Sequence, residues 1–119
     1  MNEPSLPSPD ARLAQRLLGA VAYDERFVGY RLSRRLGVHP VDLYGVVDLL
    51  ALLSLPHPRV HLVRLADWVA RVVGDEVLAE HIAVIERGPG SERDRHVALG
   101  HLVEERLLQA ASTIEPGQV

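Results

Sequence analysis

Leu43 to Leu55, LYGVVDLLALLSL, spans thirteen residues of which only Asp48 and Ser54 are strongly polar. A helix apolar on nearly every side has no face to offer water, so it must be wrapped by neighbouring elements, by a second copy of the chain, or by both. The preceding His39-Pro40 reads as a helix start, because proline at the first helical position gives up an N–H that has no helical partner there. Pro56-His57-Pro58 reads as its end, since proline cannot continue the i to i−4 ladder. The run is too short to span a bilayer, which takes about 20 apolar residues.

A chain of 119 residues reads as one domain, and at this length about two-thirds of the unfolded surface is buried without staples. The opening Met1 to Pro9 has neither the basic start nor the apolar centre of a signal peptide, which sets the expectation of a cytoplasmic protein with no membrane association. Absence of cysteine excludes disulfides, thiolate zinc sites and thiol catalysis. All basic side chains are arginine, with Ala, Val, Leu and Gly abundant, a pattern of GC-rich bacterial genomes. The net charge of −3, with both signs interspersed, argues against a nonspecific polyanion binder.

Residues 1–8, with two prolines and a third following at Pro9, are expected to form a mobile lead-in, and 112–119 a mobile tail, around a single helical domain over 9–111. Helix punctuation recurs between them. Ser8-Pro9-Asp10 starts a first helix with Leu13, Leu17 and Val21 inward; Asp24 caps a second, carrying Phe27 or Val28, Leu32 and Leu36 up to Gly37. The third is the apolar run. A fourth carries Leu62, Leu65, Ala66, Val69 and Val73 to Gly74, and a fifth, capped by Asp75, repeats Leu78, Ile82 and Ile85 up to Gly88-Pro89-Gly90. Ser91-x-x-Asp94 is a capping-box pattern opening a sixth, with Leu99, Leu102, Val103, Leu107 and Ala110 inward. The expectation is an all-α protein, a compact bundle of about six short helices around the central apolar one.

Candidate chemistry is sparse. Arg31-Leu-Ser-Arg34-Arg35-Leu-Gly-Val38 resembles the first helix and turn of a helix-turn-helix, which makes Arg31, Arg34 and Arg35 possible nucleic-acid contacts. The following segment, however, offers Asp42, Tyr44, Gly45 and Asp48, which cannot neutralise phosphates, so nucleic acid is an unfavoured partner. His57 and His61 have metal-ligand spacing but Pro58 intervenes, His96 and His101 lie about 140° apart on a helix, and His81 neighbours Glu80. No metal or cofactor is expected from these. Ser33, Ser54, Ser91 and Ser112 fall in helix interiors or caps, outside any nucleophile elbow. Asp75-Glu76 and Glu104-Glu105 are adjacent pairs that diverge on a helix, and Gly88-Pro89-Gly90 lacks the lysine of a phosphate loop, so an enzyme is not expected. Trp68, beside an apolar stripe, serves either as a core anchor against the third helix, its N–H seeking an acceptor, or as an interface hot spot.

Leu36-Gly-Val-His-Pro-Val-Asp-Leu-Tyr44, Leu65-Ala-Asp-Trp-Val69, Gly74-Asp-Glu-Val-Leu-Ala-Glu80 and Leu102-Val-Glu-Glu-Arg-Leu107 together resemble a prokaryotic family of small, all-helical proteins of unknown function. That family carries a Ser-x-Tyr-Tyr-His segment, an Asp-Phe-x-x-Trp helix and a Gly-Glu-x-x-Leu-Ala turn in this order. Tyr44 is followed here by Gly45-Val46 rather than Tyr-His. The resemblance implies a helical fold and no particular activity.

These observations point to a non-catalytic, helical protein–protein interaction module, self-associating through part of the Leu43 to Leu55 surface, with Tyr44, Leu50, Leu53 and Trp68 as interface candidates. The alternative is a helix-turn-helix-like DNA-binding regulator using the Arg31 to Arg35 face.

Overall fold

The computed structural model describes residues 6–114. Among them the chain forms five α-helices and a three-stranded antiparallel sheet: α1 (Ala11–Leu18), β1 (Phe27–Ser33), β2 (Gly37–Leu43), α2 (Val46–Leu53), β3 (Pro58–Arg59), α3 (Leu62–Trp68), α4 (Glu76–Arg87) and α5 (Glu92–Ile114). A single 3-10 turn covers Tyr23–Glu25, and α3 runs on into a π turn over Val69–Val73. The expectation of an all-α bundle of six helices is therefore corrected to a mixed helix and sheet fold.

The correction falls on one stretch. The expected second helix, from Asp24 to Gly37, is instead the first strand of a hairpin, and His39-Pro40 lies inside β2 rather than at a helix start. Phe27, Val28, Tyr30, Val38 and Val41 are aromatic or β-branched, residues that favour the pleated surface. The reversal uses Arg34, Arg35 and Leu36, with Ser33 Oγ accepting the Leu36 N–H at 3.1 Å. Gly37 resumes the strand at a φ of 69°, a conformation that side-chain-bearing residues resist.

Pro40 fits β2 for a reason that follows from register. Sheet order is β2-β1-β3, and the Leu32 N–H donates to the His57 carbonyl at 3.2 Å on the β3 side. Backbone polar groups alternate along a strand, so Tyr30, two residues earlier, also faces β3, where it pairs with Arg59. Its partner on β2 is Pro40, which accordingly turns its nitrogen to the free edge, where no ladder bond is lost.

The apolar run is shortened to α2, which opens after Gly45. Asp48 Oδ2 accepts the Tyr44 N–H at 2.9 Å, and a Cβ on Gly45 would strike the Gly19 carbonyl, so only glycine lets α1's end approach there. Val46, Leu49 and Leu52 are buried, and Leu50 and Leu53 pack against the same core. α2 contacts β2, β3, α1 and α5, which supply the wrapping that its composition demands. Gly29 packs against α2 as well: a Cβ there would meet Leu52 Cδ2 at 2.7 Å and Val60 Cγ1 at 3.1 Å.

The remaining helices follow their punctuation. Asp10, rather than Ser8, caps α1 by accepting the Leu13 N–H at 2.8 Å, and α1 stops at Leu18, before Val21. Gly74 ends the π turn at φ 89°, Asp75 caps α4, and at the start of α5 the Ser91 and Asp94 N–H groups each donate to the other residue's side-chain oxygen at 3.1 Å. Of the expected mobile lead-in, residues 1–5 lie outside the described residues. Leu6 is buried, and the carbonyls of Leu6 and Pro7 accept from Gln109 and Arg106 at 2.6 Å each. Of the expected tail, 115–119 lie outside the described residues, while Ser112–Ile114 continue α5. No described helix is long and apolar enough to cross a membrane.

Candidate functional site

Among the described residues nothing covers one face of the hairpin. Cross-strand partners share a face, so Tyr30 with Pro40 and Leu32 with Val38 lie together, opposite the side that packs on α2 through Phe27, Leu43 and Gly29. Val38 is 62% exposed and Leu36, in the turn, 72%. Arg59, paired with Tyr30 from β3, belongs to the same outer face.

Leu32 and Arg59 join this face to a groove of about 540 Å3 between the chain reversal at His57 and the first turns of α5. Leu32, Leu53, Leu55 and Val97 give it apolar walls; Arg59, Arg93, Glu92 and His57 add polar groups. A second recess of about 230 Å3 continues past Leu53 and Val97 to Gly100, His101 and Glu104. Together they form a channel beside α5, open at the hairpin end and bounded by a carboxylate at the other.

The walls are fixed by backbone chemistry. His57 adopts a φ of 56° between two prolines, an uncommon conformation for a side-chain-bearing residue, and its carbonyl is the acceptor that ties β3 to β1. Arg31 Nε donates to the Pro56 carbonyl at 3.4 Å, bracing the same reversal. His96 is buried: its Nε2 accepts the Val60 N–H at 3.1 Å, which leaves Nδ1 as the donor to the Glu92 carbonyl at 2.8 Å.

The charge of this surface is one-sided. Arg59 and Arg93 line the groove beside Glu92, and Arg34 and Arg35 are exposed at the hairpin turn, on a chain whose net charge is −3. At the opposite end of the sheet Arg26 Nε lies 3.0 Å from Asp42 Oδ1, and its guanidinium sits 3.9 Å from the Tyr23 ring centroid. Pairing with Asp42 raises the Arg26 pKa above its ordinary range, so that charge is already committed within the chain.

The residues expected as sites are dispersed. Trp68 is buried against Phe27, with ring centroids 5.5 Å apart and its Nε1 donating to the Glu25 carbonyl at 2.7 Å. Tyr44 is half-buried beside Tyr23, and Leu50 and Leu53 are half-buried on the core, Leu53 also lining the groove. Arg31, Arg34 and Arg35 belong to a hairpin, so the helix-turn-helix geometry proposed for them does not exist. Among the described residues no three acidic or histidine side chains converge as a metal site. Sequence reasoning missed Leu32, Val38, Leu55, Arg59 and Val97; the Gly29 and Pro40 interruptions of an assumed helical pattern were the available signal. Comparison with known proteins adds no relative: no family model, no curated protein and no solved structure matches the chain.

Proposed function

We propose that the chain is a non-catalytic protein–protein interaction module that docks a partner on the outer hairpin face and the groove beside α5. The observation that carries this reading is the run of exposed apolar side chains from Val38 through its strand partner Leu32 into the groove at Leu55 and Val97. Scattered surface leucines need no explanation, whereas a contiguous apolar patch rimmed by polar groups marks an interaction site. The non-catalytic part is supported by His96, whose two ring nitrogens are both committed to backbone groups.

The partner is a different protein rather than a second copy. Self-association through the apolar helix was the sequence expectation, but α2 spends most of its apolar surface inside the protomer. An isologous contact through the hairpin would set arginine against arginine, a repulsive arrangement.

Affinity capture from the source organism with wild-type protein and with Val97→Asp tests the reading. A protein retained by the wild type and lost by the variant, with both folded by circular dichroism, is the expected result. Equal recoveries from both would overturn docking at this surface.

A second reading, nucleic-acid binding by the hairpin as a β-ribbon, is favoured only by exposed Arg34 and Arg35 at its turn and exposed Tyr30 on β1. It requires duplex binding at low salt that weakens steeply as salt rises, and unretarded migration of a labelled duplex removes it.

A further inference from the structure

Gly100 sits within α5, where a Cβ would meet nothing within 4 Å. Glycine in a helix interior is destabilising relative to alanine. Its usual justification, a neighbour that leaves no room for a side chain, is absent among the described residues. Gly100 instead lines the recess that extends the groove past Val97 toward His101 and Glu104. A glycine on an open channel lets another backbone come closer than any side chain would permit.

We infer that the channel beside α5 receives an acidic amphipathic helix of a partner protein, which crosses α5 closely at Gly100. This inference rests on the chain being an interaction module and adds the chemistry of the partner. Three features choose the occupant. The apolar walls at Leu32, Leu53, Leu55 and Val97 suit the leucine-rich stripe of an amphipathic helix, the recurrent occupant of such grooves. Arg59 and Arg93 outnumber Glu92 on the groove and, with Arg34 and Arg35 at the hairpin tip, call for carboxylates on the partner's other face, concentrated at the hairpin end. Glu104 at the opposite end disfavours acid there and fixes polarity. Strand addition is a poorer fit, because Pro40 removes a donor from the centre of the free β2 edge.

The probe is a fluorescein-labelled helical peptide of about 18 residues, roughly 27 Å long, with leucine on one face and glutamate on the other. A leucine–lysine peptide of equal length and a single-stranded oligonucleotide serve as competitors. By fluorescence anisotropy the acidic peptide binds the full chain, the basic peptide and the oligonucleotide fail to displace it, and Arg59→Glu with Arg93→Glu weakens binding about tenfold or more. Gly100→Ala raises the melting temperature while weakening binding about fivefold, a combination that a purely structural glycine cannot produce. The inference is overturned if the acidic peptide does not bind, if the basic peptide or oligonucleotide displaces it, or if Gly100→Ala binds as tightly as wild type. A dimer by light scattering that Arg59→Glu abolishes would place a second copy in the channel and also overturn it. Should the peptide fail while Val97→Asp still loses a captured protein, the acidic helix falls and the interaction module stands.

Discussion

Val60 and His96, 36 residues apart in sequence, are joined by a hydrogen bond from the Val60 N–H to His96 Nε2 at 3.1 Å. The bond determines the state of the ring: an accepting Nε2 requires the proton on Nδ1, where the Glu92 carbonyl receives it at 2.8 Å. It also holds the end of β3 to α5, the two sides of the groove. A two-bond 1H–15N correlation spectrum near neutral pH should therefore show the Nδ1-protonated neutral tautomer for His96. His96→Ala leaves the buried Val60 N–H without a partner and is expected to cost about 1–3 kcal/mol in urea unfolding. An Nε2-protonated ring would contradict the assignment.

Arg106 is 1% exposed and clasps Asp75 through two bonds, Nε to Oδ2 at 2.8 Å and Nη2 to Oδ1 at 3.1 Å. Its Nη1 donates to the Pro7 carbonyl at 2.6 Å and to Gln109 Oε1 at 2.8 Å. The same carboxylate caps α4 by accepting the Leu78 N–H at 3.0 Å. One ion pair thus joins the N-terminal segment, the start of α4 and the middle of α5. Desolvating two charges is expensive, so the pair itself is no strong stabiliser, but removing one member strands the other. Arg106→Leu should destabilise the chain by about 3–5 kcal/mol by that mechanism. Arg106→Leu combined with Asp75→Ser, which restores a neutral cap, should recover part of the loss; a double variant no more stable than the single one would refute the account.

Gly29 leaves no room for a side chain, with Leu52 Cδ2 at 2.7 Å and Val60 Cγ1 at 3.1 Å from a would-be Cβ. Both neighbours are side chains, so they can shift, but both are buried in a packed core. Gly29→Ala should cost about 1–3 kcal/mol by overpacking, read as a lower denaturant midpoint, and Gly29→Val should cost more. If Gly29→Ala proved stabilising, as alanine at a relaxed helical position would be, the hairpin itself would be in question.

Much of the chain was legible because its stops and caps are local chemistry. Asp75, Gly74, Gly88-Pro89-Gly90 and Ser91-x-x-Asp94 delimit α3, α4 and α5 as read from the residues alone. The hairpin was not legible, because both of its faces carry apolar residues. Phe27, Gly29 and Leu43 pack inward while Tyr30, Leu32 and Val38 face out, so the two-residue alternation of polarity that reveals a half-buried strand never appears. The same outward residues form the candidate docking face. What hid the strands from a reading of polarity is thus the same exposed apolar face on which the proposed docking rests.

That division between inward and outward leucines is open to measurement. Leu49 is fully buried on α2, and Leu49→Ala should cost about 2–5 kcal/mol through lost transfer energy and the cavity left behind. Leu36, 72% exposed at the hairpin turn, lends the folded chain little, and Leu36→Ser should change stability by about 0.5 kcal/mol or less. The two variants therefore separate sharply in thermal or urea unfolding of the isolated chain. Were Leu36→Ser to destabilise it as strongly as Leu49→Ala, the hairpin face would be covered in solution by the chain's own residues or by a second copy. The surface offered to a partner would then not be free.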